Sequence, residues 1–182
     1  MFGEEYTLVS VSDYVLSKTP GNTVSNLSST RALADITKKY NCEYHVSAVG
    51  EVNVVEKMKL CNAVIGGEGN GGVIYPELHY GRDALVGIAL FLSNLAEKNI
   101  SSLNLRNSYP NYFISKNKLD LDLNTDIDYI FSHLKNQYSK NDINLVDGLK
   151  IDFDSGWVHL RKSNTEPIIR IYSESSSKEK AD

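Results

Sequence analysis

"LRKSNTEPIIRIYSE", residues 160–174, sets two arginines, two hydroxyls and an amide between apolar, strand-like runs. Just upstream, "WVHLR" (157–161) alternates: Val158 and Leu160 point to one face, Trp157, His159 and Arg161 to the other. Pro167 cannot donate to a β-ladder, so one strand must end before it and another restart at Ile168, in "IIRIY" (168–172). Further back, the turn Ser155-Gly156 separates "WVHLR" from "LKIDFD" (149–154), and the turn Asp147-Gly148 separates that run from "INLV" (143–146). Short turns between successive strands make hairpins, so this end of the chain reads as an antiparallel sheet. "YFISKNKLDL" (112–121) is a further extended run, and Asn124 or Thr125 is placed to cap a helix carrying Ile127, Ile130, Phe131 and Leu134. The polar tail "SESSSKEKAD" is expected to fray.

Before Arg106 the rhythm differs, because helical and extended signals alternate. Leu8, Val11, Val15 and Leu16 recur at helical spacing until Pro20-Gly21 stops them. "TVSNL" (23–27), "CEYHV" (42–46) and "NAVIGG" (62–67) read as strands. Between them lie a helix capped at Ser29 with Leu33, Ile36 and Tyr40 inward, and a helix over 51–60. Asp83 opens a last helix, "ALVGIALFL" onward, which ends near Asn99 and is expected to be buried. Strands alternating with helices imply parallel pairing under helical cover. "RNSYPN" (106–111) reads as a turn-rich connector. The expected fold is α/β: a partial parallel three-layer αβα domain over 1–106, then an α+β domain with an antiparallel sheet over 107–182.

The totals narrow the function. A net charge of −4 argues against non-specific nucleic-acid binding, which needs an electropositive face. The longest apolar run is too short to span a bilayer, and the first ten residues have neither a basic start nor an apolar core, so a cytoplasmic protein without membrane contact is expected. Cys42 and Cys61 match no metal-ligand spacing and read as buried thiols in a reducing compartment.

The donors at 161–170 suit a phosphate, whose oxygens accept several hydrogen bonds and whose charge pairs with a guanidinium fork. Glu166 would repel that anion and is better placed orienting an arginine or the turn. On chemistry alone, a surface loop with a strand-end arginine paired to Glu166 fits equally well.

"GGEGNGG" (66–72) poses a second problem. Gly67, Gly69 and Gly72 satisfy the dinucleotide spacing G-x-G-x-x-G, but that motif must open a helix, and here the extended "VIYPEL" follows. Glu68 would also place a negative charge in the phosphate cradle. Sugar hydroxyls fit better: Glu68 can accept from two O–H groups, Asn70 can donate and accept, and glycines allow close backbone approach. Taken alone, a glycine-rich turn with a solvated Glu68 remains the simpler reading. Nearby, "HYGRD" (79–83) offers Arg82 and His79 as further candidates, with Asp83 as a helix cap, and "LSSTR" (27–31) offers Ser28. "DLDLNTD" (120–126) fails the EF-hand pattern, so no metal ligand is assigned.

"R-K-S-N-T-E-P-I-I-R" resembles the phosphate-binding loop in the C-terminal domain of the α-D-phosphohexomutases, Arg-x-Ser-(Gly or Asn)-Thr-Glu-Pro followed by an Arg. Arg161, Ser163, Asn164, Thr165 and Arg170 match it position by position. The glycine loop resembles that family's sugar-recognition loop, Gly-Glu-x-Ser-Gly-(Gly or His), with Asn70 where many members have Ser. The resemblance implies enzymes that interconvert hexose 1- and 6-phosphates through a phosphoserine and a bisphosphorylated intermediate, with Mg²⁺ as cofactor. It implies Glu68 and Asn70 on the sugar, and the 161–170 loop on the phosphate that is not reacting. Some members acting on glucose and mannose phosphates have Lys at the place of Ser28, and others read Gly-His-Ser where this chain has "VGEVNV" (49–54). Both departures lean toward an amino-sugar or archaeal-like subgroup.

The family's phosphoserine loop and its Asp-x-Asp-x-Asp-Arg metal loop do not occur in these 182 residues. By the resemblance, the chain corresponds to most of the third domain plus the fourth. The phosphosugar and the missing N-terminal domains are then its expected partners, and the Mg²⁺ ligands lie outside it. A stand-alone, non-catalytic sugar-phosphate-binding module is the alternative.

Overall fold

The computed structural model describes residues 2–121, 125–163 and 166–182. The chain forms two compact units, one ending at Asn111 and one beginning at Tyr112.

In the first unit the order is α1 (Glu4–Lys18), β1 (Thr23–Asn26), α2 (Ala32–Lys39), β2 (Tyr44–Ser47), α3 (Glu51–Cys61), β3 (Ile65–Glu68), β4 (Gly72–Ile74), α4 (Ala84–Lys98) and α5 (Ser102–Asn107). The sheet runs β2-β1-β3-β4: β2 and β3 flank β1 in parallel, and β4 closes back antiparallel on β3. Because parallel crossovers are right-handed, moving out to β2 and back to β3 puts α2 and α3 on opposite faces. The side chains obey this. Val24 joins Val54 and Met58 of α3 in an apolar cluster with Ala63 and Ile74, while its neighbour Thr23 meets Thr37 of α2, hydroxyl to hydroxyl, at 2.6 Å.

Helix α1 lies against α2, α4 and β3, and it buries Ser10, Ser12 and Asp13 as well as Leu8, Val9, Val11, Val15 and Leu16. A buried charge needs partners, and Asp13 has four. Lys98 lies at 2.6 Å and Lys39 at 3.4 Å, while the Tyr40 and Tyr109 hydroxyls donate to it over 2.9 and 3.1 Å. Burial alone would raise its pKa, but the Lys98 and Tyr40 hydrogen bonds and the two lysine charges outweigh it and hold the carboxyl below its ordinary value. Burial and the same carboxylate push Tyr40 up to about 12.

Helix α4 departs from the sequence expectation of a buried helix. Only Gly87 and Asn94 are buried, and Leu85, Ile88 and Leu92 are 78%, 55% and 56% exposed. The packed stripe is the one where Gly87 lets the helix close on Val73 and the Asn94 amide donates to the Ser10 carbonyl at 3.0 Å. Ser29 does not cap α2, whose N-terminal residue is preceded by Arg31; the Thr30 hydroxyl accepts from Ala32 N instead. Tyr40 and both cysteines are half-buried rather than buried. The connector near 106 contains α5, a six-residue helix capped by Ser101 and anchored by the buried Leu105.

In the second unit the order is β5 (Phe113–Asp120), α6 (Ile127–Gln137), β6 (Asp142–Asn144), β7 (Leu149–Phe153), β8 (Gly156–Lys162), β9 (Ile168–Ser175) and α7 (Lys178–Ala181). The sheet β5-β9-β8-β7-β6 is antiparallel throughout. Asp126 caps α6 through Tyr129 N at 2.9 Å, replacing the expected Thr125; Asn124 lies outside the described residues. Ile127, Ile130, Phe131 and Leu134 are the half-buried positions of α6. The tail is ordered by β9 and α7, where Ala181 is buried and its carbonyl accepts from the Ser173 hydroxyl. The fold is thus mixed α/β with a largely parallel sheet followed by an antiparallel one, as the sequence patterns imply.

Candidate functional site

The candidate residues fall on the two units and form two separate clusters. In the first unit they gather at the carboxyl ends of β1 and β3, where the strand order reverses. Open α/β sheets bind ligands in that crevice. Glu68 ends β3 and is 5% exposed. Its Oε1 accepts from the Asn26 amide at 2.9 Å and from Gly50 N at 3.1 Å, and its Oε2 lies 3.4 Å from the Arg82 guanidinium. The Asn26 carbonyl oxygen in turn accepts from Ser28 N and from the Ser29 hydroxyl, both at 3.0 Å. Ser29 also accepts from Gly69 N at 2.9 Å, which ties the glycine loop to the turn after β1. A Cβ at Gly69 would come within 2.1 Å of the Glu5 carboxylate, so a side chain there would have to displace Glu5.

Asn70 is exposed, and its side-chain oxygen accepts from Gly72 N at 3.0 Å. Arg82 is fixed by Glu51, whose two oxygens take the Arg82 backbone N–H at 3.0 Å and Nε at 2.8 Å. Those bonds, backbone first, hold the Glu51 carboxyl below the usual carboxylate range. Asp83 caps α4 by accepting from Leu85 N and Val86 N, and its other oxygen meets His79 Nε2 at 3.1 Å. The Val86 bond and the imidazole lower its pKa. Glu51, Asn70, Gly72, Arg82 and Asp83 line a cleft of about 500 Å³. The geometry therefore brings Glu68, Asn70, Arg82, His79 and Ser28 to one end of the sheet. It adds Asn26 and Glu51, which sequence reasoning did not single out. A polar residue ending a wholly buried strand, and a glutamate opening a helix after a glycine, were the available signals.

In the second unit, Arg161 of β8 and Arg170 of β9 are directly opposite register partners. β8 ends at Lys162, Ser163 N donates to the Ile168 carbonyl at 3.0 Å, and β9 restarts at Ile168, the interruption Pro167 imposes. Ser163 is 6% exposed. Glu166 reaches back to Arg170 at 3.3 Å. Arg161 Nε is buried with no hydrogen-bond partner among the described residues, and a buried N–H left unmade costs free energy. Asn164 and Thr165 lie outside the described residues. His159 on the same face is 1% exposed and packs into the sheet, its Nε2–H donating to the Asp147 carbonyl at 2.6 Å; burial lowers its pKa.

No metal ligand group is assigned, and among the described residues no three His, Cys, Asp or Glu side chains come together to hold one. Nor is any described helix long and apolar enough to cross a membrane.

Comparison with known proteins matches both units to one family. The sequence pattern of the phosphoglucomutase/phosphomannomutase alpha/beta/alpha domain III matches residues 3–112, and that of the family's C-terminal domain matches residues 130–182. A phosphoglucosamine/phosphogalactosamine mutase of Sulfurisphaera tokodaii is 37% identical over 83% of this chain and 34% of its own length. A phosphoglucomutase/phosphomannomutase of Thermococcus kodakarensis is 35% identical over 96% of this chain and 39% of its own. Among solved structures, a phosphoglucomutase/phosphomannomutase family protein from Burkholderia thailandensis superposes with a TM-score of 0.78 at 23% identity, covering 97% of this chain and 38% of that one. The chain thus spans little more than a third of the length of these relatives. By sequence pattern over both units, it belongs to the phosphoglucomutase/phosphomannomutase family and corresponds to its C-terminal portion.

Proposed function

We propose that this chain supplies the sugar- and phosphate-holding half of a phosphohexomutase that interconverts hexose 1-phosphate and hexose 6-phosphate, and that it has no mutase activity alone. The observation that carries this reading is the pairing of Arg161 with Arg170 on adjacent strands, with Arg161 Nε buried and without a hydrogen-bond partner among the described residues. A guanidinium fork of this kind pairs with an anion such as phosphate.

Glu68 Oε1 is already occupied by Asn26 and Gly50, so Oε2, beside Arg82, is the oxygen left to accept from a sugar hydroxyl. Asn70 spends its carbonyl oxygen on Gly72 N and keeps its amide N–H groups for the ligand. Arg161, Ser163, Asn164, Thr165 and Arg170 hold the phosphate that stays attached during a turnover. His79 and Ser28 are peripheral in this scheme: His79 is engaged by Asp83, and Ser28 N by Asn26. Phosphoryl transfer depends mainly on positioning and charge stabilisation, and these residues provide positioning. The phosphoserine and the Mg²⁺ of a whole mutase, together with its N-terminal domains, would come from outside the chain.

The test is an assay of the purified chain with hexose 1-phosphate, hexose 1,6-bisphosphate and Mg²⁺. We expect no formation of 6-phosphate; sustained turnover would show that the chain carries its own phosphoryl-transfer machinery and sink the proposal.

A further inference from the structure

The phosphate loop is one side of a wider cationic feature. Register places Lys118 of β5 opposite Arg170 of β9, and Arg170 opposite Arg161 of β8. Directly opposed residues share a face, so three cations stand in one row across three adjacent strands. Like charges placed opposite one another destabilise a sheet, and here the repulsion is barely compensated. Glu166 reaches only Arg170, at 3.3 Å, and Lys118 has no ion pair among the described residues. The next row on this face shows how the sheet treats its other cations. Lys116 lies over the Tyr172 ring and Lys150 over the Trp157 ring, at 5.8 and 4.6 Å from the centroids. Among the described residues, Lys118, Arg170 and Arg161 have no such aromatic cover.

The geometry points to Lys118 as a further phosphate-binding residue, closing the row Lys118–Arg170–Arg161 around a phosphate dianion; this rests on the proposed role of the 161–170 loop. Glu166 neutralises one of the three cations, and the remaining charge matches the two negative charges of a phosphate monoester near neutral pH. Asp120, opposite Ile168 on the same face, sits one row farther out, roughly 7 Å along the strand. It bounds the site on that side.

An exposed lysine on an edge strand has a simpler use, since it blocks edge-to-edge pairing of sheets, and β5 is an edge. The two roles separate by experiment. Inorganic phosphate is titrated calorimetrically at low ionic strength into the wild-type chain and into Lys118→Gln, Lys118→Arg, Arg161→Gln and, as a control on α6, Lys135→Gln. Thermal unfolding of each variant checks that it folds. Lys118→Gln should weaken phosphate binding roughly ten- to a hundredfold, the range of one charge-assisted hydrogen bond. Lys118→Arg should restore it, and Lys135→Gln should leave it within twofold. If Lys118→Gln binds phosphate like wild type while Arg161→Gln does not, the row is only an edge guard and the inference fails alone. If Arg161→Gln also binds normally, the loop assignment fails with it.

Discussion

The Asn26 amide donates to Glu68 Oε1 over 2.9 Å, joining the ends of two parallel strands whose residues are 42 positions apart in sequence. Both side chains are about 5% exposed. The bond presets the Glu68 carboxylate before any ligand arrives, because the same asparagine is itself held by Ser28 and Ser29. Asn26→Ala leaves buried acceptors and donors unmet and should cost about 1–3 kcal/mol, read as a lower urea midpoint. Glu68→Gln keeps an acceptor for Asn26 and should cost less stability, yet remove the charge facing Arg82 and lower phosphosugar affinity. Equal affinity in Glu68→Gln and wild type would remove Glu68 from the sugar site.

The Asp13 cluster sets the acid limit of the first unit. Its pKa is lower in the folded state than the ordinary 3.8. Its contribution to stability is therefore complete above that value and lost as pH falls through the folded-state pKa. Asp13→Ala should destabilise by about 1–3 kcal/mol, because the Tyr40 and Tyr109 hydroxyls lose a buried acceptor while the partly exposed Lys98 can turn to water. Stability measured against pH should flatten below pH 4 in Asp13→Asn relative to wild type; parallel curves would show that Asp13 is not the controlling group.

His159 works at higher pH and in the other unit. Burial depresses its folded-state pKa below the ordinary 6.5, so the unfolded chain takes up its proton first. The second unit should lose stability as pH falls below about 6.5, down to the folded-state pKa. Trp157, the single tryptophan, is 1% exposed and donates to Glu174 at 2.8 Å, so its fluorescence reports this transition directly. In His159→Gln the pH dependence over this window should shrink. An unchanged slope would assign it to another group.

Gly148 forms the turn before β7 at φ +79°, and a Cβ there would come within 2.3 Å of the Leu160 carbonyl oxygen. Gly148→Ala should destabilise the second unit by more than about 1 kcal/mol, again by Trp157 fluorescence. Preserved stability would mean that the β8 backbone gives way.

Strand and helix order was largely legible because alternation and helical spacing are local signals: Pro167 marked the break between β8 and β9, and Asp83 the start of α4. What stayed hidden depends on neighbours. The apolar spacing of α4 implied burial, yet only the stripe with Gly87 and Asn94 finds a partner, and sequence does not state which neighbours a helix has. Helix α5 rests on one anchor, Leu105, too little to make a period. The hydrogen bond from Asn26 to Glu68 joins two strand ends, and the grip of Glu51 on Arg82 joins the start of α3 to the loop before α4, both brought together by topology. The 161–170 loop was readable as a motif. Its alignment with Lys118 needed the register of β5 on β9.

The most direct test of the account is an NMR titration of ¹⁵N-labelled chain with glucosamine 6-phosphate, set against glucosamine. The account predicts saturable shifts of the Ser163 and Arg170 amides with the phosphosugar, absent with glucosamine and abolished in Arg161→Gln. Identical responses to the two sugars, or an unchanged titration in Arg161→Gln, would contradict it.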